Sequence, residues 1–155
     1  MSLTISGSSQ PVSNLSGSSV LKCNTSEFTN GSATLSSGVY GFKAPKSGIY
    51  LITGQISLSG CTTTKIQSVL WKNINTSTNP INSVNGNFTG SIPTSLKRGT
   101  AGGNSNVSTL SCLVKLVTND VVTFGANIEF STCTSANFPI NSGDNYFQVQ
   151  YVSAF

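Results

Sequence analysis

The feature that most constrains this chain is a two-residue alternation of apolar and polar side chains. Tyr50, Ile52, Gly54, Ile56 and Leu58 fall on one face, while Leu51, Thr53, Gln55, Ser57 and Ser59 take the other. A period of two is that of a half-buried strand. The pattern returns in Leu110, Cys112, Val114 and Leu116, and again in Val122, Phe124, Ala126, Ile128 and Phe130. No segment keeps a helical period, so the chain reads as all-β. Before the first run stands Pro45-Lys46-Ser47-Gly48. Proline removes a backbone donor and glycine permits a positive φ, so this turn is expected to end one strand and begin the next.

Strands are expected at residues 20–23, 33–42, 48–58, 65–72, 82–89, 107–116, 121–130 and 146–152, with a weaker one near 136–140. Short strands separated by regular turns indicate a sandwich or jelly roll. The segment Val117-Thr118-Asn119-Asp120 joins two of them as a hairpin. Residues 1–19 are rich in Ser and Gly and lack periodicity, so they are expected to form a flexible lead or a connection to a stem. Residues 20–155 would then be one domain. Residues 90–106 are polar and glycine-rich, and a loop of that length is more often functional than filler.

Ser, Thr and Asn number 27, 18 and 16, against only 12 charged residues. Low charge together with recurrent apolar alternation favours packed strands over disorder. The net charge is +4, and the basic residues are scattered along the sequence, with only Lys97 and Arg98 adjacent. No basic–aromatic interleaving accompanies them, which argues against a nucleic-acid partner. Weak attraction to an acidic polysaccharide stays open. No apolar run approaches the roughly 18 residues of a membrane helix, so no membrane insertion is expected. The first residues lack the regions of a signal peptide. Six Asn-x-Ser/Thr sequons are what this composition produces by chance.

No pair among Cys23, Cys61, Cys112 and Cys133 has metal-ligand spacing, and the chain has no histidine, so no metal and no cofactor is expected. Cys112 falls on the apolar side of its strand. Cys61 and Cys133 lie in small-residue loops and are the disulfide candidates.

The stretch Gly41-Phe42-Lys43-Ala44-Pro45-Lys46-Ser47-Gly48-Ile49-Tyr50 resembles the signature turn of the C1q/TNF-like jelly-roll superfamily. Leu116 to Phe124 resembles that family's L-x-x-G-D-x-V hairpin, with Asn119 in place of the glycine. The chain closes on an aromatic strand, as the family does. The resemblance covers residues 20–155. It implies a ten-stranded antiparallel jelly-roll sandwich, with Phe42 and Tyr50 in the core, assembled as a homotrimer. Such heads cap fibres, spikes and collagen-like stems and bind receptors or glycans.

Catalysis fares badly on this sequence, because histidine is the usual proton carrier and none is present. Glu27 and Glu129 could be paired in space as a glycosidase dyad, but two surface acids are the simpler reading. Binding is the better class. Trp71 beside Lys72, with Asn87 in the polar stretch that follows, offers stacking and amide contacts to a sugar, although a lone Trp is more often core. Lys97 and Arg98 offer charge to a sulfate or carboxylate. Tyr146, Phe147, Val149 and Tyr151 give one strand apolar groups on both faces, as expected of a strand at a trimer axis. The expectation is therefore a non-enzymatic trimeric head on a virion or cell surface that binds a receptor or polysaccharide. The alternative is a purely structural trimerisation, capsid-decoration or filament-cap protein.

Overall fold

A computed structural model describes residues 2–4, 10–12, 16–21, 25–27, 32–34, 40–60, 62–73, 95–98, 107–132, 136–139 and 145–155. They form thirteen strands: β1 (Ser2–Thr4), β2 (Gln10–Val12), β3 (Ser16–Val20), β4 (Thr25–Glu27), β5 (Ser32–Thr34), β6 (Tyr40–Lys43), β7 (Gly48–Ser57), β8 (Thr62–Lys72), β9 (Ser95–Arg98), β10 (Val107–Leu116), β11 (Val121–Thr132), β12 (Ala136–Phe138) and β13 (Tyr146–Ser153). The first sheet runs β10-β7-β13-β1-β4 and the second β5-β6-β11-β8-β9, and every pairing is antiparallel. Outside these two five-strand paths, β3 pairs with β11, and β2 with β12.

The alternation decides what faces inward. On β7 the buried and half-exposed positions alternate without a break from Gly48 to Ser57. Tyr50, Ile52 and Ile56 meet Phe42, Ile66, Leu70, Val122, Phe124 and Ile128 of the second sheet in one core. The rings of Phe124 and Phe147 stack between the sheets at 5.7 Å. Truncating a ring so placed costs about 3–5 kcal/mol. Phe42, Tyr50 and Tyr151 continue the aromatic run by edge contacts of 5.4 and 5.3 Å. The Tyr50 hydroxyl donates to the Lys46 carbonyl at 2.6 Å. Burial pushes its pKa up despite that bond, so it stays a neutral donor.

At one end of the sandwich, two turns are bonded to each other. Ala44 N donates to the Asp120 carbonyl and Asn119 N to the Ala44 carbonyl, both at 2.8 Å. Thr118 N donates to Ser47 Oγ at 3.1 Å. The Asp120 carboxylate, only 7% exposed, accepts from Lys72 Nζ at 2.7 Å, from Val117 N at 2.9 Å and from Asn73 Nδ2 at 3.3 Å. Burial alone would raise its pKa, but those bonds and the Lys72 charge outweigh burial and hold it below the ordinary value. Asn119 adopts φ 73°. That left-handed conformation suits Gly first and Asn next, which explains Asn119 at the position where a Gly was the pattern.

Several expectations are corrected. Within residues 1–19, expected as a lead, residues 2–4, 10–12 and 16–19 lie in β1, β2 and β3; short polar strands pair through their backbones without apolar periodicity to announce them. Gly48 has no positive φ. It is needed for space instead, because a Cβ there would meet the Tyr151 ring and lie 2.6 Å from the Ser153 carbonyl. Residues 95–98, expected within a loop, are strand β9. The strand expected at 82–89 lies outside the described residues.

Two outcomes follow. Asp120→Asn should cost about 1–3 kcal/mol at pH 7 in denaturant unfolding. A depressed carboxyl stabilises the fold above its unfolded pKa of about 3.9 and loses that stabilisation as pH falls toward the folded value. The gap between wild type and variant should therefore narrow as pH falls below about 4; a gap that stays constant on acidification contradicts the pairing. Gly125→Ala, whose Cβ would meet the Ser19 carbonyl and lie 2.7 Å from the Trp71 ring, should cost about 1–3 kcal/mol. It should also red-shift the emission of the chain's single tryptophan.

Candidate functional site

The side of the first sheet away from the core is open. Antiparallel register sets its side chains in cross-strand rows: Thr109, Gln55 and Tyr146; Ser111, Thr53 and Gln148; Leu113, Leu51 and Gln150; then Lys115, Ile49 and Ser153. Thr53 Oγ1 donates to Gln148 Oε1 at 3.5 Å along the second of these rows. Lys115 is the one charged residue in the four rows. Among the described residues, the exposed large apolar side chains are Val107, Leu113, Val117, Val152 and Phe155, and all belong to β10, β13 or the residues just beyond them. Leu113 is 59% exposed and Val152 52%. Apart from Val107 at the far end of β10, the apolar groups of the face lie toward the end with the bonded turns, around Lys115, and the rows farther along are neutral-polar. Interface cores are marked by this depletion of charge more than by bulk hydrophobicity.

The strand expected at a trimer axis does border this face, but its side chains divide differently. Phe147 and Val149 point inward and belong to the core. Tyr151 is half-buried against the core, edge-on to Tyr50, with the Lys46 ammonium 3.6 Å from its ring centroid. Of the four expected residues only Tyr146 lies on the open side, with Gln148, Gln150 and Val152. The reason is the period itself. Before the bulge that follows Tyr151, the odd-numbered residues of β13 turn toward the second sheet, where Phe124 awaits Phe147.

The sugar-stacking expectation for Trp71 is also corrected, since its indole is 1% exposed. Trp71 sits opposite Thr123 on β11 and its ring reaches over Gly125. Lys72 is held by Asp120. Lys97 and Arg98 pair through β9 with Leu70 and Val69, which sets them on the strand that ends the second sheet's path. Asn87, Cys61 and Cys133 lie outside the described residues. Glu27 belongs to the first sheet, whereas Glu129 belongs to the second and binds Lys65 at 3.0 Å. Cys112 is half-buried against the core.

The reading from sequence missed the open-face leucine and valine cluster. The signal was present: Val107, Leu113 and Val117 break the polar phase of a strand whose other phase is already apolar.

No protein-family model and no curated protein matches the chain. Solved structures do. A murine APRIL structure at pH 8.5 is similar with a TM-score of 0.58 and 12% identity, over 97% of this chain and 96% of that one. Eiger TNF from S. frugiperda gives 0.53 and 11%, over 96% and 93%. Murine APRIL at pH 8.0 gives 0.56 and 13%, over 97% and 98%. At such identities the likeness is one of backbone architecture. The chain has the C1q/TNF-like jelly-roll fold.

Proposed function

We propose that this protein is a non-enzymatic binding head that assembles as a homotrimer through the open face of its first sheet and engages a receptor or glycan outside cells. The observation that carries the reading is the gathering of the exposed large apolar side chains on that one face, which is nearly free of charge. A face whose rows hold one charged residue, Lys115, meets its own copy with little like-charge repulsion, and burying residues such as Leu113 and Val152 repays association at about 25 cal/mol per Å² of apolar area. The fold shared with Eiger TNF and APRIL supports the same arrangement. Among the described residues no helix is long and apolar enough to cross a membrane.

Ligand contact is assigned to the edge of the second sheet, where β9 carries Lys97 and Arg98. Ammonium and guanidinium groups suit carboxylate or sulfate groups on a receptor or a surface polysaccharide. The setting we infer is the tip of a fibre or spike on a virion or cell surface. A structural cap without a ligand is the competing role, and it differs in predicting no retention of cells by the isolated head.

The assembly is tested by light scattering after size exclusion. Wild type should give three times the 16.1 kDa chain mass, and Leu113→Asp should give one chain mass with an unchanged β-sheet circular dichroism spectrum. A Leu113→Asp protein that remains trimeric places the interface elsewhere. The ligand assignment is tested on immobilised host cells. Lys97→Ala combined with Arg98→Ala should reduce retention about tenfold, at rim-type contacts of about 1 kcal/mol or less each, with no loss of thermal stability. Full retention by this variant removes β9 from the binding surface.

A further inference from the structure

The charged residues are divided unevenly between the two sheets. The five-strand path of the second sheet holds Lys43, Lys65, Lys72, Lys97, Arg98 and Glu129. The strands of the first sheet hold only Lys115 and Glu27. These two stand at opposite ends of the strand order β10-β7-β13-β1-β4, Lys115 on β10 and Glu27 on β4. One end of the path is basic, the other is acidic, and the three strands between them carry no charge. Register also sets Glu27 in line with the open side. It stands opposite Ser2, Ser2 opposite Gln148, Gln148 opposite Thr53, and Thr53 opposite Ser111.

Lys115 stands among apolar groups. Its partner on β7 is Ile49, Leu113 precedes it on the same side of β10, and its ammonium lies 3.7 Å from the centroid of Phe155. In the assembly proposed above, this part of the face is covered by another copy. An ammonium enclosed there loses hydration that one ring replaces only in part, so it calls for an acidic partner. Asp120 holds Lys72 and Glu129 holds Lys65, both on the second sheet. Glu27 is the acidic residue of the same sheet. A ring of identical chains closes head-to-tail, so each contact joins two different parts of the surface. An uncharged sheet with opposite charges at its two ends suits that rule.

We propose that Lys115 pairs with Glu27 of the next copy in the ring, so that each contact of the trimer contains one ion pair. The pairing rests on the homotrimer reading and adds to it which parts of the face meet. On β10, Lys115 lies four residues beyond Ser111, whose row leads to Glu27. That is about 14 Å along the strand, against about 19 Å across the four steps from β10 to β4. Strands inclined by about 35° to the ring axis bring both residues to one level, an inclination common where sheets close around an axis.

The test follows the trimer dissociation constant of the full chain by light scattering over a dilution series. Lys115→Glu and Glu27→Lys should each raise it about a hundredfold, at about fivefold for each of the three contacts. The double variant exchanges the signs and should return to within about fivefold of wild type. Carbodiimide joins a carboxylate to a touching ammonium with loss of water. In wild-type trimers mixed from isotopically heavy and light chains, it should yield linked Lys115 and Glu27 peptides that carry both labels. Circular dichroism keeps a loss of assembly apart from a loss of fold. A wild-type trimer whose single variants assemble unchanged, or whose double variant is as weak as the singles, overturns the pairing and leaves the trimer standing. Linked peptides of one label alone do the same. A wild-type chain that stays monomeric overturns the assembly itself, and the pairing with it.

Discussion

The carboxylate of Asp120 carries a load out of proportion to its size. The chain passes between the two sheets through the turn at 44–47 and again through the turn at 117–120, and both crossings meet at this residue, the first at its backbone carbonyl and the second at its carboxylate. It accepts one bond from its own turn, one from the end of β8 and one from Asn73, whose own carbonyl oxygen accepts from Val121 N at 2.8 Å. Two sheets that touch only through apolar side chains can slide, because dispersion and the hydrophobic effect have little direction. Hydrogen bonds to a charged acceptor are directional, and here they pin the sheets at one end. The stacking of Phe124 on Phe147, the fit of Gly48 beneath Tyr151 and the row register of the open face all presuppose that alignment.

The parts of this arrangement that follow a period were legible in the sequence. Alternation located β7, β10, β11 and β13 to within two residues, since a slip by one would send Ile52 or Phe124 into solvent. The signature turn and its hairpin were legible as motifs, and the structure adds that they are two halves of one bonded unit. What alternation cannot reveal is pairing between distant short strands. Ser2–Thr4 and Ser16–Val20 have no apolar phase and are held by backbone bonds to residues more than a hundred positions away.

The functional residues were harder to read for a related reason. Trp71 has the chemistry of a sugar-binding residue, but position decides its use, and it fills the space above Gly125. Aromatic residues on β13 suggested an interface, and the strand was apt, yet Phe147 and Val149 are spent on the core. The open face is made instead from the weaker phase of β7 and β10, where Leu51 and Leu113 stand among Thr, Ser and Gln. Such a face has the composition of ordinary surface until the fold shows which apolar residues share a row.

The pairing of β1 with β13 has a bearing on how the molecule is made. Residues 2–4 join residues 146–148, and β7 pairs on its two edges with β10 and β13. Strand β7 thus lacks its second neighbour until residues 146–153 have been synthesised. Local contacts cannot close it early, which places the protein among the slower-folding, non-local β topologies. During synthesis β7 waits with both edges unpaired until β10 emerges and with one edge unpaired until β13 does, and its open edge is then a template for any extended strand nearby. The sparse apolar content of β1, β3 and β4 is well matched to that interval: the strands that precede β7 offer little for a neighbouring nascent chain to adhere to.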